Sequence, residues 1–226
     1  MDMDLRTTEL GRTFTYAELQ THCRAVWGGV SFPGKRAGFA IIAAVLNEKH
    51  FDSHDISLLD EYESFDMRKL IRQCGALNFK YRPSLFFGDW KNDAAGHFID
   101  ELNEDNRQKR ERDSTIPRRQ FELSYTPMLE MENLYSFILP QLKDLLTAER
   151  RQLFLKGSKI VGYLSEIEDA QISELAIGSF PAIEALAFSV IELRDEQAVK
   201  MQQGPQKSPY NDNILTRGLK NFQRYR

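Results

Sequence analysis

The stretch Ser84-Leu85-Phe86-Phe87-Gly88-Asp89-Trp90-Lys91-Asn92-Asp93 constrains the fold more than any other part of the chain. Its apolar residues end at a Gly-Asp pair and a polar turn. A helical pattern follows from Ala94, with Ala95, Phe98, Ile99 and Leu102 on one side. This order predicts a buried strand, a turn and an amphipathic helix. In open α/β sheets, chemistry collects at the carboxyl ends of strands. Asp89 stands at such an end, although aspartate is also a common turn former.

Three strand-like runs precede this stretch: Ala25 to Phe32, Gly38 to Leu46, and Ile56 to Glu63. The turn Pro33-Gly34-Lys35-Arg36 separates the first two, and Asn47-Glu48-Lys49-His50 reads as a polar hairpin tip. Short polar turns between strands predict an antiparallel meander. Asp66 then opens a helix with Leu70, Ile71, Cys74 and Leu77 on its buried stripe, and Arg82-Pro83 stops it. A helix between two strands is a crossover and implies parallel pairing. The expected class is therefore α/β, with a mixed sheet flanked by helices.

The charge run from Asn103 to about residue 120 reads as a solvated helix end and loop, with a mobile basic loop touching phosphates as the functional alternative. Phe121 to Tyr125 suggests a short strand. Asn133 to Glu149 suggests a helix that Pro140 kinks or splits. Arg151 to Leu155 is strand-like, and Ser158 caps a helix through Ile160, Val161, Leu164 and Ile167. Gly178-Ser179-Phe180-Pro181 begins a last helix, with Pro181 in its first turn and Ser179 close enough to cap.

The expected organisation is a lead-in over 1–24, a domain over 25–199 and a basic tail over 200–226. Within the lead-in, Thr15 caps a short helix through Leu19. The tail carries Lys207, Arg217, Lys220, Arg224 and Arg226 among Gln, Gly, Pro, Ser and Asn. An apolar content of 42% supplies a real core and excludes a disordered chain. A net charge of −3 neither demands nor excludes nucleic acid. Cys23 and Cys74 form neither a disulfide framework nor a zinc spacing, which points to a reducing compartment. With no apolar run of membrane-spanning length and an acidic start, a soluble intracellular protein is expected.

Three antiparallel strands, a crossover helix and a parallel fourth strand follow the element order of the ribonuclease-H-like fold. The chain resembles the C-terminal nuclease domain of phage large terminase subunits over about residues 25–195. The resemblance is carried by Val26-Trp27-Gly28-Gly29-Val30-Ser31-Phe32-Pro33-Gly34, Leu59-Asp60-Glu61-Tyr62, Phe87-Gly88-Asp89, and Gly178-Ser179-Phe180-Pro181-Ala182-Ile183-Glu184-Ala185-Leu186. No Gly-x-x-x-x-Gly-Lys-Ser/Thr phosphate loop is present, so the ATPase half of such a subunit is not in this sequence.

The resemblance implies a metal-dependent DNA endonuclease of a viral packaging terminase, working on double-stranded DNA in the host-cell cytoplasm. A packaging ATPase and a portal protein are the implied partners. Two-metal phosphodiester hydrolysis needs carboxylates that converge around Mg²⁺ or Mn²⁺. The implied acids stand at the first strand, the end of the fourth strand and the entry to the last helix. Asp89 takes the fourth-strand position and Glu184 the late one, with Glu61 as a third catalytic candidate and Glu63 as a third metal ligand. Alternate residues at the end of that third strand face opposite sides of the sheet. The first-strand position holds Ser31, and Ser179 stands where a late acid is first sought. Serine does not replace a carboxylate as a metal ligand. The alternative is therefore a catalytically degenerate domain serving as a DNA-binding or assembly module. An unrelated α/β protein is the third reading.

Lys35, Arg36 and Lys91 are candidate DNA contacts, and Lys91 beside Asp89 would also lower the Asp89 pKa. Asp93 reads mainly as a helix N-cap. His97 is a candidate proton shuttle, with a surface or half-buried histidine as the plainer reading.

Overall fold

The computed structural model describes residues 23–46, 56–116, 118, 120–147, 152–153, 158–168 and 174–190. Strand β1 (Cys23–Ser31) pairs antiparallel with β2 (Gly38–Leu46), which pairs antiparallel with β3 (Ile56–Ser64). Helix α1 (Met67–Tyr81) then crosses over to β4 (Phe86–Phe87), which lies parallel to β1. A fifth strand, β5 (Gln152–Leu153), lies parallel to β3. The open mixed sheet has the order β4-β1-β2-β3-β5. The expected meander, crossover and parallel fourth strand are all present. The lead-in helix from Thr15, the hairpin tip Asn47–His50 and the basic tail lie outside the described residues.

Helices cover both faces, which explains why β2 is an almost unbroken apolar run rather than an alternating one. On one face Val30, Ala40, Ile42 and Ala44 pack with Leu70, Ile71, Cys74 and Leu77 of α1. Ala95, from helix α2 (Asp93–Arg112), joins this cluster. On the other face Trp27, Phe39, Ile41 and Phe87 pack against α3 (Leu134–Thr147), α4 (Ile160–Glu168) and α5 (residues 181–190). Asp66 caps α1 as expected, accepting from the Lys69 N–H at 3.1 Å. Arg82, in a left-handed conformation at φ 48°, ends it before Pro83.

The paired glycines of β1 each answer to a different face. A Cβ on Gly28 would stand 2.3 Å from the Phe86 ring of β4. A Cβ on Gly29 would stand 2.1 Å from the Ala185 carbonyl oxygen of α5. Gly29 thus lets a helix backbone press directly on the sheet. Gly29→Ala should force α5 outward and destabilise by about 1–3 kcal/mol, readable as a lower urea midpoint.

Several sequence expectations change at the edges. The strand expected from Ser84 is regular only at Phe86–Phe87, although the Ser84 N–H donates to the Val26 carbonyl at 2.8 Å and the Gly28 N–H to the Leu85 carbonyl at 2.9 Å. The segment 121–125 contributes a single parallel bridge, Ser124 to Phe87, rather than a strand. Helix α2 runs to Arg112, so the helical part of the charge run is longer than the expected helix end. Its second half is held by pairs at helical spacing: Glu104–Arg107, Asp105–Lys109 and Arg107–Glu111. Helix α3 continues through Pro140 as one element. The cap of α2 is Asn92, whose Oδ1 accepts from the Ala95 N–H at 3.0 Å, while Asp93 is the first helical residue.

Candidate functional site

The close approach at Gly29 brings the start of α5 against the carboxyl end of β1. Ser31 lies two residues beyond Gly29, on the same face of the strand. There its hydroxyl donates to Glu184 Oε2 at 2.5 Å. Glu184 is fully buried. Its other oxygen accepts the Tyr135 hydroxyl and, at 2.7 Å, the Gly178 N–H. Tyr135 in turn accepts the Phe180 N–H at 2.7 Å. Two backbone donors ahead of α5 are thereby satisfied, one by Glu184 and one by Tyr135. Helix N-termini leave such donors without intrahelical partners. Ser179, expected to cap this helix, instead accepts the Ala176 N–H at 3.1 Å. Gly178 adopts φ 88°, a turn that suits glycine.

A buried carboxylate is tolerated when it is fully hydrogen-bonded. Tyr135 remains a donor because burial, followed by the neighbouring Glu184 charge, pushes its phenol well above the ordinary tyrosine value. The result is a closed network of one carboxylate, two hydroxyls and two backbone N–H groups. Tyr135 was missed by sequence reasoning. A tyrosine in the first turn of a helix carries no motif, and only the meeting of α3 with α5 gives it a role.

The other sequence candidates are distributed differently. β1 and β4 pair in parallel through Gly29 and Phe87. Asp89 and Ser31 each stand two residues past that pairing, at the same end of the sheet. Asp89 is half-buried, and its Oδ1 accepts the Lys91 N–H at 3.1 Å, closing an Asx turn. Lys91 turns away from it toward Glu130, at 3.6 Å. His97 is exposed on α2.

Glu61 and Glu63 lie two residues apart and so share a strand face, where both are used to hold α4. Glu61 accepts Ser158 Oγ at 2.6 Å and the Lys159 N–H at 3.0 Å. Glu63 accepts Tyr163 OH at 2.5 Å and also pairs with Lys159 Nζ. Burial works to raise the Glu63 pKa, but the Lys159 and Tyr163 hydrogen bonds outweigh it and hold the carboxyl below its ordinary value. The Glu63 bond is also the main reason that the Tyr163 phenol is pushed up to about 12. A lowered carboxyl pKa stabilises above its unfolded value, and that stability is lost as pH falls through the folded value. Glu63→Gln should therefore cost about 1 kcal/mol at pH 7, with the deficit closing on acidification below about pH 4 in urea titrations.

Of the basic candidates, Arg36 donates to Glu166 at 2.6 Å and stacks over the Phe180 ring at 4.2 Å. Lys35 is exposed, and no partner is found for it among the described residues. Among the described residues no group of three or more His, Cys, Asp or Glu side chains is arranged to hold a metal ion. The chemistry of the Glu184 surroundings agrees: all its neighbours present hydrogens to the carboxylate, so no ligand set faces a cation there. The residues present at Glu184 do not fit a two-metal centre.

No protein-family model, curated protein or solved structure matches the chain. No helix of the described residues is long and apolar enough to cross a membrane.

Proposed function

We propose that this chain is a non-cutting relative of terminase nuclease domains, with a ribonuclease-H-like sheet retained as an assembly module. The observation that carries this reading is the Ser31–Glu184 hydrogen bond at 2.5 Å inside a buried network. Where such nucleases would set two carboxylates to share cations, this chain sets a hydroxyl donating to a carboxylate. The strand order β4-β1-β2-β3, with β4 parallel to β1 and Ser124 bridging parallel to Phe87, supports the fold half of the proposal. The ion pairs of Arg36 and Lys91 favour assembly over DNA binding, since two of the three candidate phosphate contacts already have partners. In this reading the partners are a packaging ATPase or portal protein in the host-cell cytoplasm, with double-stranded DNA nearby but not cleaved.

A plasmid-nicking assay in Mn²⁺ or Mg²⁺, with and without chelator, tests the proposal. The expected result is no metal-dependent nicking by the wild-type chain and no shift in its melting temperature with either metal. Chelator-sensitive nicking that disappears in Asp89→Ala would overturn it and restore the endonuclease reading. Duplex DNA binding should be weak at physiological salt, as measured by fluorescence anisotropy.

A further inference from the structure

The turn after β4 carries a surface that neither the core nor the Glu184 network uses. Trp90 is 54% exposed and Met131 is 39% exposed. Trp90 meets the Tyr125 ring edge-on, with centroids 6.4 Å apart. Lys91 Nζ lies 4.6 Å from the centroid of the same ring and 3.6 Å from Glu130. These contacts join the 89–93 turn to the 125–132 segment. Backbone bonds from Trp90 N–H to Gly88 and from Asn92 N–H to Asp89, each 3.1 Å, hold the turn. The indole is therefore presented on a built platform and not on a loose tip.

The charge around it is one-sided. Asp89, Asp93, Glu130 and Glu132 stand in these two segments, and Lys91 is the single base among them. Lys91 is already satisfied by Glu130 and by Tyr125. Desolvation, followed by Glu130 and then the Asp89 charge, raises the Tyr125 phenol pKa, so both carboxylates lie within electrostatic reach of it. Such a rim repels phosphate and attracts cations. A half-exposed tryptophan face within an acidic rim suits a guanidinium, which stacks on the ring and pairs with carboxylates.

We propose that the Trp90–Met131 surface docks a protein segment presenting an arginine beside an apolar side chain. The arginine lies over Trp90 and pairs with the rim carboxylates, while the apolar neighbour covers Met131. Aromatic and arginine anchors dominate protein interfaces, and an exposed apolar patch with a polar rim is the form such sites take. Nucleic acid is disfavoured because acids outnumber bases in the two segments that carry the surface.

A phage-displayed library of random 12-residue peptides, panned against the full-length chain, tests this. Enriched peptides should share an arginine next to Leu, Met or an aromatic residue. Their affinity should fall at least about tenfold on Trp90→Ala, the range for losing an aromatic anchor. The double charge reversal Asp93→Lys, Glu132→Lys should weaken binding too, as should raised salt. Both variants change exposed positions, and melting temperatures near wild type would show them folded. Arginine replaced by lysine in the peptide should bind more weakly, because the planar stack is lost. Failure to enrich, enrichment without arginine, or binders indifferent to Trp90→Ala would overturn the proposal. So would oligothymidylate binding that depends on Trp90, which would make the surface a base-stacking platform instead. None of these outcomes depends on whether the chain cuts DNA.

Discussion

Glu184→Ala is expected to destabilise the fold by about 3–5 kcal/mol, the range for removing one partner from a buried charged network. The side chain is fully buried, and Ser31, Tyr135 and the Gly178 N–H all donate to it. Truncation leaves those three donors facing a cavity, and each unmade buried bond costs about 1–3 kcal/mol. The loss also frees the turn ahead of α5, so the helix start should become the first region to exchange amide hydrogens. Glu184→Gln separates charge from hydrogen bonding. Its amide oxygen can accept from Tyr135 and Gly178, and the Ser31 hydroxyl can rotate to accept the new N–H. The glutamine variant should therefore lose only about 1–2 kcal/mol. Urea unfolding followed by circular dichroism measures both. An alanine variant within about 0.5 kcal/mol of wild type would remove the network from any structural role.

Ser31→Asp tests the same place from the other side. The hydroxyl oxygen is 2.5 Å from Glu184 Oε2, so an aspartate there sets two carboxylates against each other in a buried site. They cannot both ionise, and one must keep a proton. The substitution should cost about 3–5 kcal/mol at pH 7, the range for an uncompensated buried charge. The sign follows from linkage. A carboxyl whose folded pKa lies above its unfolded value carries no penalty below the unfolded value, and the penalty grows as pH rises toward the folded one. The deficit of Ser31→Asp against wild type should thus shrink from pH 7 to pH 5 in paired urea titrations. A deficit that does not change with pH would mean that the aspartate is excluded by size and not by charge.

The buried strands and α1 announced themselves through periodicity. Ile41, Ile42, Leu70, Ile71, Cys74 and Leu77 are all buried as their spacing required. Asp66 and Pro83 bracket α1 because capping and the loss of a backbone donor are local effects. The length of α2 was harder to read. Its outer half carries no apolar stripe, and ion pairs at i,i+3 and i,i+4 continue it where burial stops. The short β4 and the lone bridge at Ser124 were equally obscure, since strand length depends on which neighbour is available to pair.

The candidate site divides along the same line. Ser31 stood out as a hydroxyl where an acid was sought, and Glu184 as the one acid near the start of α5, yet neither position says whether the two side chains meet. Their contact requires the α5 backbone to rest on Gly29, a long-range approach set by packing across the sheet. Glu61 and Glu63 looked like spare ligands, but Ser158, Lys159 and Tyr163 from a distant helix take them up. The amino-acid order alone determined the α/β class, the meander, the crossover and the core stripes, because those follow from local periodicity and chain connectivity. Only the tertiary structure decided that Glu184, Glu61 and Glu63 are satisfied by hydroxyls, backbone N–H groups and a lysine. A carboxylate's chemistry depends on what lies within a few ångströms of it, and those neighbours come from remote parts of the chain.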